Sequence, residues 1–173
     1  RAAGQRASDL VTKLLTFSRR DNVKPTLLDV KAVTDDIHKM LRRVIPENIQ
    51  IDLAYDDNLG ALWADQLQLE QIIMNLCVNA RDAIKGSGKI AVNWKMQKLS
   101  PQAAGEKKLG TGDYLVFSVA DTGTGIEPGV RERIFEPYFT TKTAGKGTGL
   151  GLSIVYAIVK QLKGAIEVES EVG

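Results

Sequence analysis

The chain has 173 residues, 43% of them hydrophobic, which fits one compact domain with an appendage. Lysine and arginine number 23 against 21 aspartate and glutamate, scattered apart from Arg19, Arg20, Lys24 and Lys39, Arg42, Arg43, a distribution without a nucleic-acid footprint. No apolar run reaches the roughly 18 residues of a membrane span, no signal peptide opens the chain, and one cysteine excludes an internal disulfide or a Cys/His metal cluster, so a cytoplasmic piece without membrane contact is expected.

Residues 1 to 20 place Ala3, Ala7, Leu10, Leu14 and Phe17 at four-three spacing, the seam of a bundled helix that needs a partner, or, on the plainer reading, an ordinary docking helix. Asp21 to Leu28, with Pro25, reads as a linker. Asp29 is the expected N-cap of a helix carrying Val30, Val33, Ile37, Met40, Leu41 and Val44 on one side, stopped by Pro46. Ile49, Ile51 and Leu53 alternate as a strand, and 61 to 64 predicts a short second one. A helix from about Asp65 to Lys85 ends at Gly86, Ser87, Gly88. Strands over 89 to 95 and 114 to 120 flank a polar segment expected to be mobile. A short helix over 127 to 134, an irregular lid over 135 to 148, a helix over 149 to 163 and a strand over 165 to 170 complete the pattern. Strands and helices do not alternate regularly, which predicts an α+β fold: a two-layer sandwich with a mixed, largely antiparallel sheet and helices on one face. The sequence opens in mid-helix pattern and stops at Val172 and Gly173 without a closing element, as a piece of something longer would.

Three segments carry chemistry. In NLCVNARDAI (75 to 84), at about 100° per residue, Asn79 falls near 40° from Asn75 and Asp82 near minus 20°, whereas Glu70 lies near 220°. The asparagines thus share a polar face beside the buried stripe, and an amide oxygen suits Mg2+, which takes one or two protein ligands plus phosphates and water. A solvated amide face is the plainer reading. DTGTGI (121 to 126) follows a strand directly, so Asp121 stands where a carboxylate can accept a hydrogen bond from an exocyclic amino group, with Gly123 and Gly125 admitting a flat base; a simple turn is the alternative. GKGTGLGLS (145 to 153) runs three alternating glycines into an apolar-periodic helix, whose first amides would face a phosphate. It is neither a Walker loop nor a dinucleotide fingerprint, and a flexible cap is its plainer reading. Lys142 and Lys146 lie in the same lid, able to meet phosphate oxygens or only solvent.

Together these residues resemble the catalytic, ATP-binding domain of sensor histidine kinases, within the superfamily shared with gyrase, Hsp90-type chaperones and MutL-type ATPases (GHKL). NLCVNARDAI is similar to its N box, DTGTGI to its first glycine box, FEPYFTTK (135 to 142) to its F box and GKGTGLGLS to its second glycine box, in the family's order over about 29 to 173. The ending LLTFSRR resembles the second helix of the dimerisation bundle, which implies residues 1 to 24 as part of that bundle with its linker and 25 to 173 as the catalytic domain, its last strand truncated. The FEPYFTTK form looks most like nitrogen-regulator and CckA-type hybrid kinases. The resemblance implies ATP or ADP and Mg2+ as ligands, Asn79 as the metal ligand, Asn75 as a phosphate or metal neighbour, and Asp121 as reader of the adenine amino group. It places Gly123, Gly125 and Ile126 in the base pocket, Thr141 and Lys142 in the lid, and Lys146, Gly147, Thr148, Gly149, Leu150, Gly151 and Leu152 about the phosphates. Asp82 takes an N-A-x-D position whose role stays open, and Phe135 and Phe139 read as packing residues.

The family's phosphoacceptor histidine and its H box are absent from this sequence, and His38, the only histidine, lacks that motif. The implied reaction is transfer of the γ-phosphoryl group to a histidine on another bundle helix of a homodimeric kinase, for relay to a response regulator or receiver aspartate. Where related ATPases carry a glutamate base, this chain has Asn75, and an amide cannot deprotonate water, so hydrolysis is expected to be slow. The rival readings are a regulatory nucleotide-binding module and a non-kinase ATPase of the superfamily. The CckA-type likeness further implies cyclic di-GMP control, with Tyr55 and Trp63 as stacking candidates or, more plainly, as edge aromatics of the sheet.

Overall fold

The computed structural model of the protein describes residues 24 to 143 and 147 to 173. The bundle-helix pattern of residues 1 to 20, residues 21 to 23 of the linker, and Lys146 lie outside the described residues.

Strand β1 (Thr26–Leu28) pairs antiparallel with β3 (Leu62–Ala64). The expected linker is therefore partly a strand, because Leu28 finds a buried berth while its backbone pairs with Leu62. Period-2 alternation sends Leu28 and Ala64 into the core and leaves the paired Leu27 and Trp63 on the outer face, 67% and 64% exposed. Helix α1 (Val30–Val44) starts where Asp29 accepts from the amides of Lys31 and Ala32. It buries Val30, Val33, Thr34, Ile37 and Leu41, and leaves helical geometry at Ile45, before Pro46.

The three-stranded sheet has the order β2 (Ile49–Tyr55), β4 (Gly88–Leu99), β5 (Gly112–Asp121), with β2 parallel to β4 and β5 antiparallel. Register builds rows of side chains across it: Leu53, Val92 and Val119 in one, Tyr55, Trp94 and Phe117 in the next. The rings of Trp94 and Phe117 lie 4.5 Å apart at a 34° tilt, within the range that favours aromatic pairs. Fully burying a side chain such as Ile73, Ile90 or Leu41 contributes about 2 kcal/mol. One polar relay crosses this core: the Trp94 indole N–H donates to Thr34 Oγ1 at 2.9 Å, and that hydroxyl donates to Val30 O at 2.6 Å. Both side chains are thereby satisfied although buried, as interior polar groups require.

Helix α2 (Gln66–Ala83) starts at Asp65, whose carboxylate accepts from Gln68 N. Leu69, Ile73, Cys77 and Ala80 join the core with α1 and the sheet, while Ile72 packs into a second cluster with Ile154, Val155 and Ile158 of α5 (Gly151–Gln161). Helix α2 is therefore shared by both clusters and its polar shoulder faces the start of α5.

Three further expectations are corrected. The segment between β4 and β5 contains a short helix, α3 (Pro101–Glu106), because Ser100 accepts from Ala103 N and Ala104 is buried. After the single turn of α4 (Pro128–Arg131), α5 begins at Gly151 rather than 149, since Gly149 has φ +66, outside helical geometry. Residues 165 to 170 form no strand. The Ile126 amide instead donates to the Ser170 hydroxyl at 2.9 Å, a side-chain bond that cannot seed a backbone ladder.

Candidate functional site

Four pieces converge at the C-terminal half of α2. The first is its own polar shoulder. Asn75 Nδ2 donates to Gly151 O at 3.3 Å, and a Cβ on Gly151 would lie 3.6 Å from Asn75 Oδ1 and 3.8 Å from Asn79 Nδ2. The angular arithmetic on the sequence thus corresponds to a face turned toward the helix that follows the second glycine run. Glu70 is used elsewhere, accepting from Gln66 within α2.

Asp121 is the second piece. Leu115, Phe117 and Val119 of β5 point toward the helices, and Asp121 continues that row, in register with Ile90 and, across β4, with Ile51. A carboxylate therefore ends the row of apolar side chains, on the same face but exposed at the sheet end. Its Oδ1 accepts from Gly123 N at 2.8 Å, while Oδ2 has no protein partner among the described residues and is free to accept from a ligand.

The first glycine turn is the third. Thr124 N donates to Ala83 O at 3.1 Å, which fastens the turn to the end of α2. A Cβ on Gly123 would strike the Ala83 Cβ at 2.6 Å, and one on Gly125, whose φ is +69, would come within 1.7 Å of Glu171 O. Close approach to protein backbone is thus a reason for these glycines in addition to the room for a base expected from the sequence. Ile126, half-buried, follows them under Ser170.

The fourth is the lid with the second glycine run. Tyr138 N donates to Gly149 O at 2.9 Å, and both residues are left-handed, at φ +68 and +66. Arg133 stands over the Phe139 ring at 4.3 Å, and Phe135 packs on Tyr156, so these phenylalanines pack as expected. Thr141 is exposed; Thr148 Oγ1 accepts from Leu150 N at 3.4 Å. Helix α5 opens at Leu150 without a side-chain cap, leaving the amides of Gly151, Leu152 and Ser153 without helical partners.

Lys142 joins the lid to α2. Its Nζ lies 2.6 Å from Asp82 Oδ2 and 3.4 Å from Asn79 Oδ1, and a Cβ on Gly147 would press on its stem at 3.1 Å. Asp82 Oδ1 accepts in turn from Arg81 Nε and Nη2 at 2.8 and 2.6 Å, and Arg81 Nη1 reaches Val44 O at the end of α1. Burial raises the Asp82 pKa, but the hydrogen bonds and charges of Lys142 and Arg81 outweigh it and hold the carboxyl below its ordinary value. An ammonium resting on two hard oxygens shows that this corner stabilises a cation, so Asn79 and Asp82 fit the Mg2+ expected from the sequence. Among the described residues no group of three His, Cys, Asp or Glu side chains converges on a metal position.

The other reactive side chains stand apart. Cys77 is fully buried and its thiol is pushed up to about 12 by burial, which leaves it inert as a nucleophile. His38 Nε2 is shut off from solvent without a hydrogen-bond partner, unable to reach a phosphate. The Tyr55 hydroxyl donates to Asp35 Oδ1 at 2.7 Å and Lys31 sits over its ring, while no aromatic contact joins it to Trp63 among the described residues.

A mixed sheet backed by helices, with asparagines, an aspartate at the sheet end and glycine turns meeting at one helix end, defines a nucleotide-binding ATPase fold. Residues 64–173 match the family described as histidine kinase-, DNA gyrase B- and HSP90-like ATPase, and the chain belongs to that family. It is 46% identical over 169 residues to the sensor kinase CckA of Brucella abortus (strain 2308), covering 97% of this chain and 18% of that protein. The sensory histidine kinase/phosphatase NtrB of Rhizobium leguminosarum bv. phaseoli is 31% identical, with 96% of this chain and 43% of its own length covered. Among solved structures, full-length ShkA in complex with AMPPNP superposes with a TM-score of 0.78 at 27% identity, over 100% of this chain and 35% of that one. The chain thus spans less than half the length of these relatives.

Proposed function

We propose that this domain binds ATP with Mg2+ and donates the γ-phosphoryl group to a histidine imidazole on a bundle helix, for relay to an aspartate of a response regulator. The imidazole nitrogen forms a P–N bond as the bond from the γ-phosphorus to the bridging oxygen breaks, and ADP departs with that electron pair. Asp121 Oδ2 supports adenine binding as an unpaired acceptor at the sheet end. The free amides at the start of α5 support phosphate binding, Lys142 and Lys146 adding positive charge. Asn79 and Asp82 would hold Mg2+, which supplies charge compensation on the phosphate oxygens. Residues 1 to 24 are assigned to the bundle and its linker, with 25 to 173 as the catalytic domain of a homodimeric kinase, on the cytoplasmic side. Among the described residues no helix is long and apolar enough to cross a membrane.

The observation that carries the reading is Asn75. It lies against Gly151 with its amide spent on a backbone carbonyl, where hydrolysis would need a carboxylate base. Mixed with a histidine-bearing bundle and labelled ATP, the domain is expected to label the histidine, while steady-state ATP turnover alone stays slow. Rapid turnover would overturn the reading; tight ATP binding with no labelled histidine would favour a regulatory module.

For cyclic di-GMP, the outer face of Trp63 supports a stacking role, whereas Tyr55 is committed to Asp35. Trp94, the second of the two tryptophans, is buried, so quenching of tryptophan emission on titration with cyclic di-GMP is expected to report on Trp63. Emission that does not change, or changes equally in Trp63→Ala, removes this regulator.

A further inference from the structure

Asp82 is the group in the site whose two oxygens are divided between two cations. Oδ1 takes both Arg81 Nε and Nη2, and Arg81 is itself anchored on Val44 O, so this half of the carboxylate is fixed to the body of the domain. Oδ2 takes only Lys142, which also touches Asn79 Oδ1. Lys142 comes from the lid segment, where its own amide donates to Thr140 Oγ1. The two side chains are 26% and 34% exposed, open enough for an ion to reach them.

We propose that Lys142 and a divalent cation exchange on the same oxygens, Asp82 Oδ2 and Asn79 Oδ1, so that cation entry and release of the lid residues around Lys142 are one event. The inference rests on the nucleotide-binding reading above and deepens it by saying what occupies the cation's oxygens before the cation arrives. A divalent ion and an ammonium cannot both sit within contact distance of one oxygen pair, because their mutual repulsion is strong in a partly desolvated corner. Lysine suits the exchange: it is a point charge on a flexible stem and loses no planar fork geometry when it swings away. Arginine at 81 suits the fixed half for the opposite reason, since its fork stays on Oδ1 and keeps Oδ2 aimed at the ion. The displaced ammonium remains on the lid, within a stem's length of the second glycine run that Gly147 brings against it, where phosphate oxygens would arrive. Ion, lysine and phosphate thereby share one charge balance: the carboxylate is never left without a cation.

The test uses Mn2+ alone, followed by its paramagnetic signal in the absence of nucleotide. Removing the competing charge in Lys142→Met is expected to tighten Mn2+ binding about fivefold, the scale of a partly exposed ion pair. Lys142→Arg, which keeps the charge and adds a fork, is expected not to tighten binding, and Asp82→Asn to weaken it. Amide hydrogen exchange at Thr141 to Thr143 should accelerate when Mn2+ is added to the parent protein and should be fast from the outset in Lys142→Met. Equal Mn2+ affinity in Lys142→Met and parent, or exchange that Mn2+ does not alter, overturns the proposal. ADP binding in Mg2+, measured on the same samples, separates the two readings. A parent that binds ADP while Lys142→Met leaves Mn2+ unchanged loses only the exchange, whereas a parent that binds no ADP loses the nucleotide site itself.

Discussion

Gly149→Ala is expected to lower nucleotide affinity by about 100-fold or more while the protein stays folded. Two independent penalties meet at this position. The backbone is at φ +66, where an alanine costs about 1–2 kcal/mol relative to glycine. The added Cβ would also lie 2.3 Å from Tyr138 C, 2.5 Å from Tyr138 O and 2.7 Å from Tyr138 Cα. These are backbone atoms, which cannot rotate away as a side chain would, so either the Tyr138 N to Gly149 O bond breaks or the strap moves. Both outcomes pull the second glycine run off the start of α5 and misplace the amides that would meet phosphate. The main core loses little, because its buried members come from α1, α2 and the sheet, and position 149 contributes to neither cluster. Titration with ADP beside thermal unfolding checks both halves: unchanged affinity would mean that the strap does not shape the phosphate end.

Tyr138 provides the matching control. It is a non-glycine residue at φ +68 with an exposed ring, a conformation held by its bond to Gly149 rather than by burial of the side chain. The strain therefore lies on the lid side of the contact and the clash on the glycine side. A strap built this way has one tight geometry, which is what a phosphate end needs if its amides are to be placed before the ligand arrives.

Some of this was legible beforehand and some was not, for reasons that differ by residue. The shared face of Asn75, Asn79 and Asp82 follows from helical period alone, and the structure turns it toward Gly151 and Lys142. Asp121 was also readable more fully than its place after a strand suggests: Leu115, Phe117 and Val119 set an inward period that a carboxylate then continues. The role of Asp82 was not readable, because its partner Lys142 is 60 positions away in the chain. The packing reasons for Gly123 and Gly125 depend on Ala83 and Glu171, again distant in sequence. Strand β1 reads as linker in the sequence because three residues carry no period, and its partner β3 is equally short. Residues 165 to 170 alternate like a strand, yet alternation records only which side chains are apolar. It does not say whether two backbones lie in register to pair, and here the first glycine turn meets this segment through the Ser170 hydroxyl on Ile126 N and one backbone bond, Gly173 N to Thr124 O.

Asp121→Asn and Asn79→Ala are expected to fail in different ways, and the difference separates the two ends of the pocket. In Asp121→Asn the amide oxygen can keep the bond from Gly123 N that Oδ1 now accepts at 2.8 Å, so the turn is preserved. That orientation points the new NH2 group to where Oδ2 stood, and a donor then faces the donor of the adenine amino group. Flipping the amide restores the acceptor for adenine and sets NH2 against Gly123 N instead. Either way one donor goes unpaired on binding, which costs about 1–3 kcal/mol, or roughly 5- to 150-fold in affinity. Because the loss concerns the base, it is expected with Mg2+ and equally with chelator. Asn79→Ala leaves Asp121 and the glycine turns intact and removes one oxygen of the cation corner. Its affinity for ADP is expected to match the parent in chelator and to lose only the increment that Mg2+ adds. Calorimetric titration of ADP under both conditions decides: an Asp121→Asn protein that binds as the parent does sinks the adenine contact. An Asn79→Ala protein equally weakened in chelator would assign Asn79 to the shape of the pocket rather than to the ion.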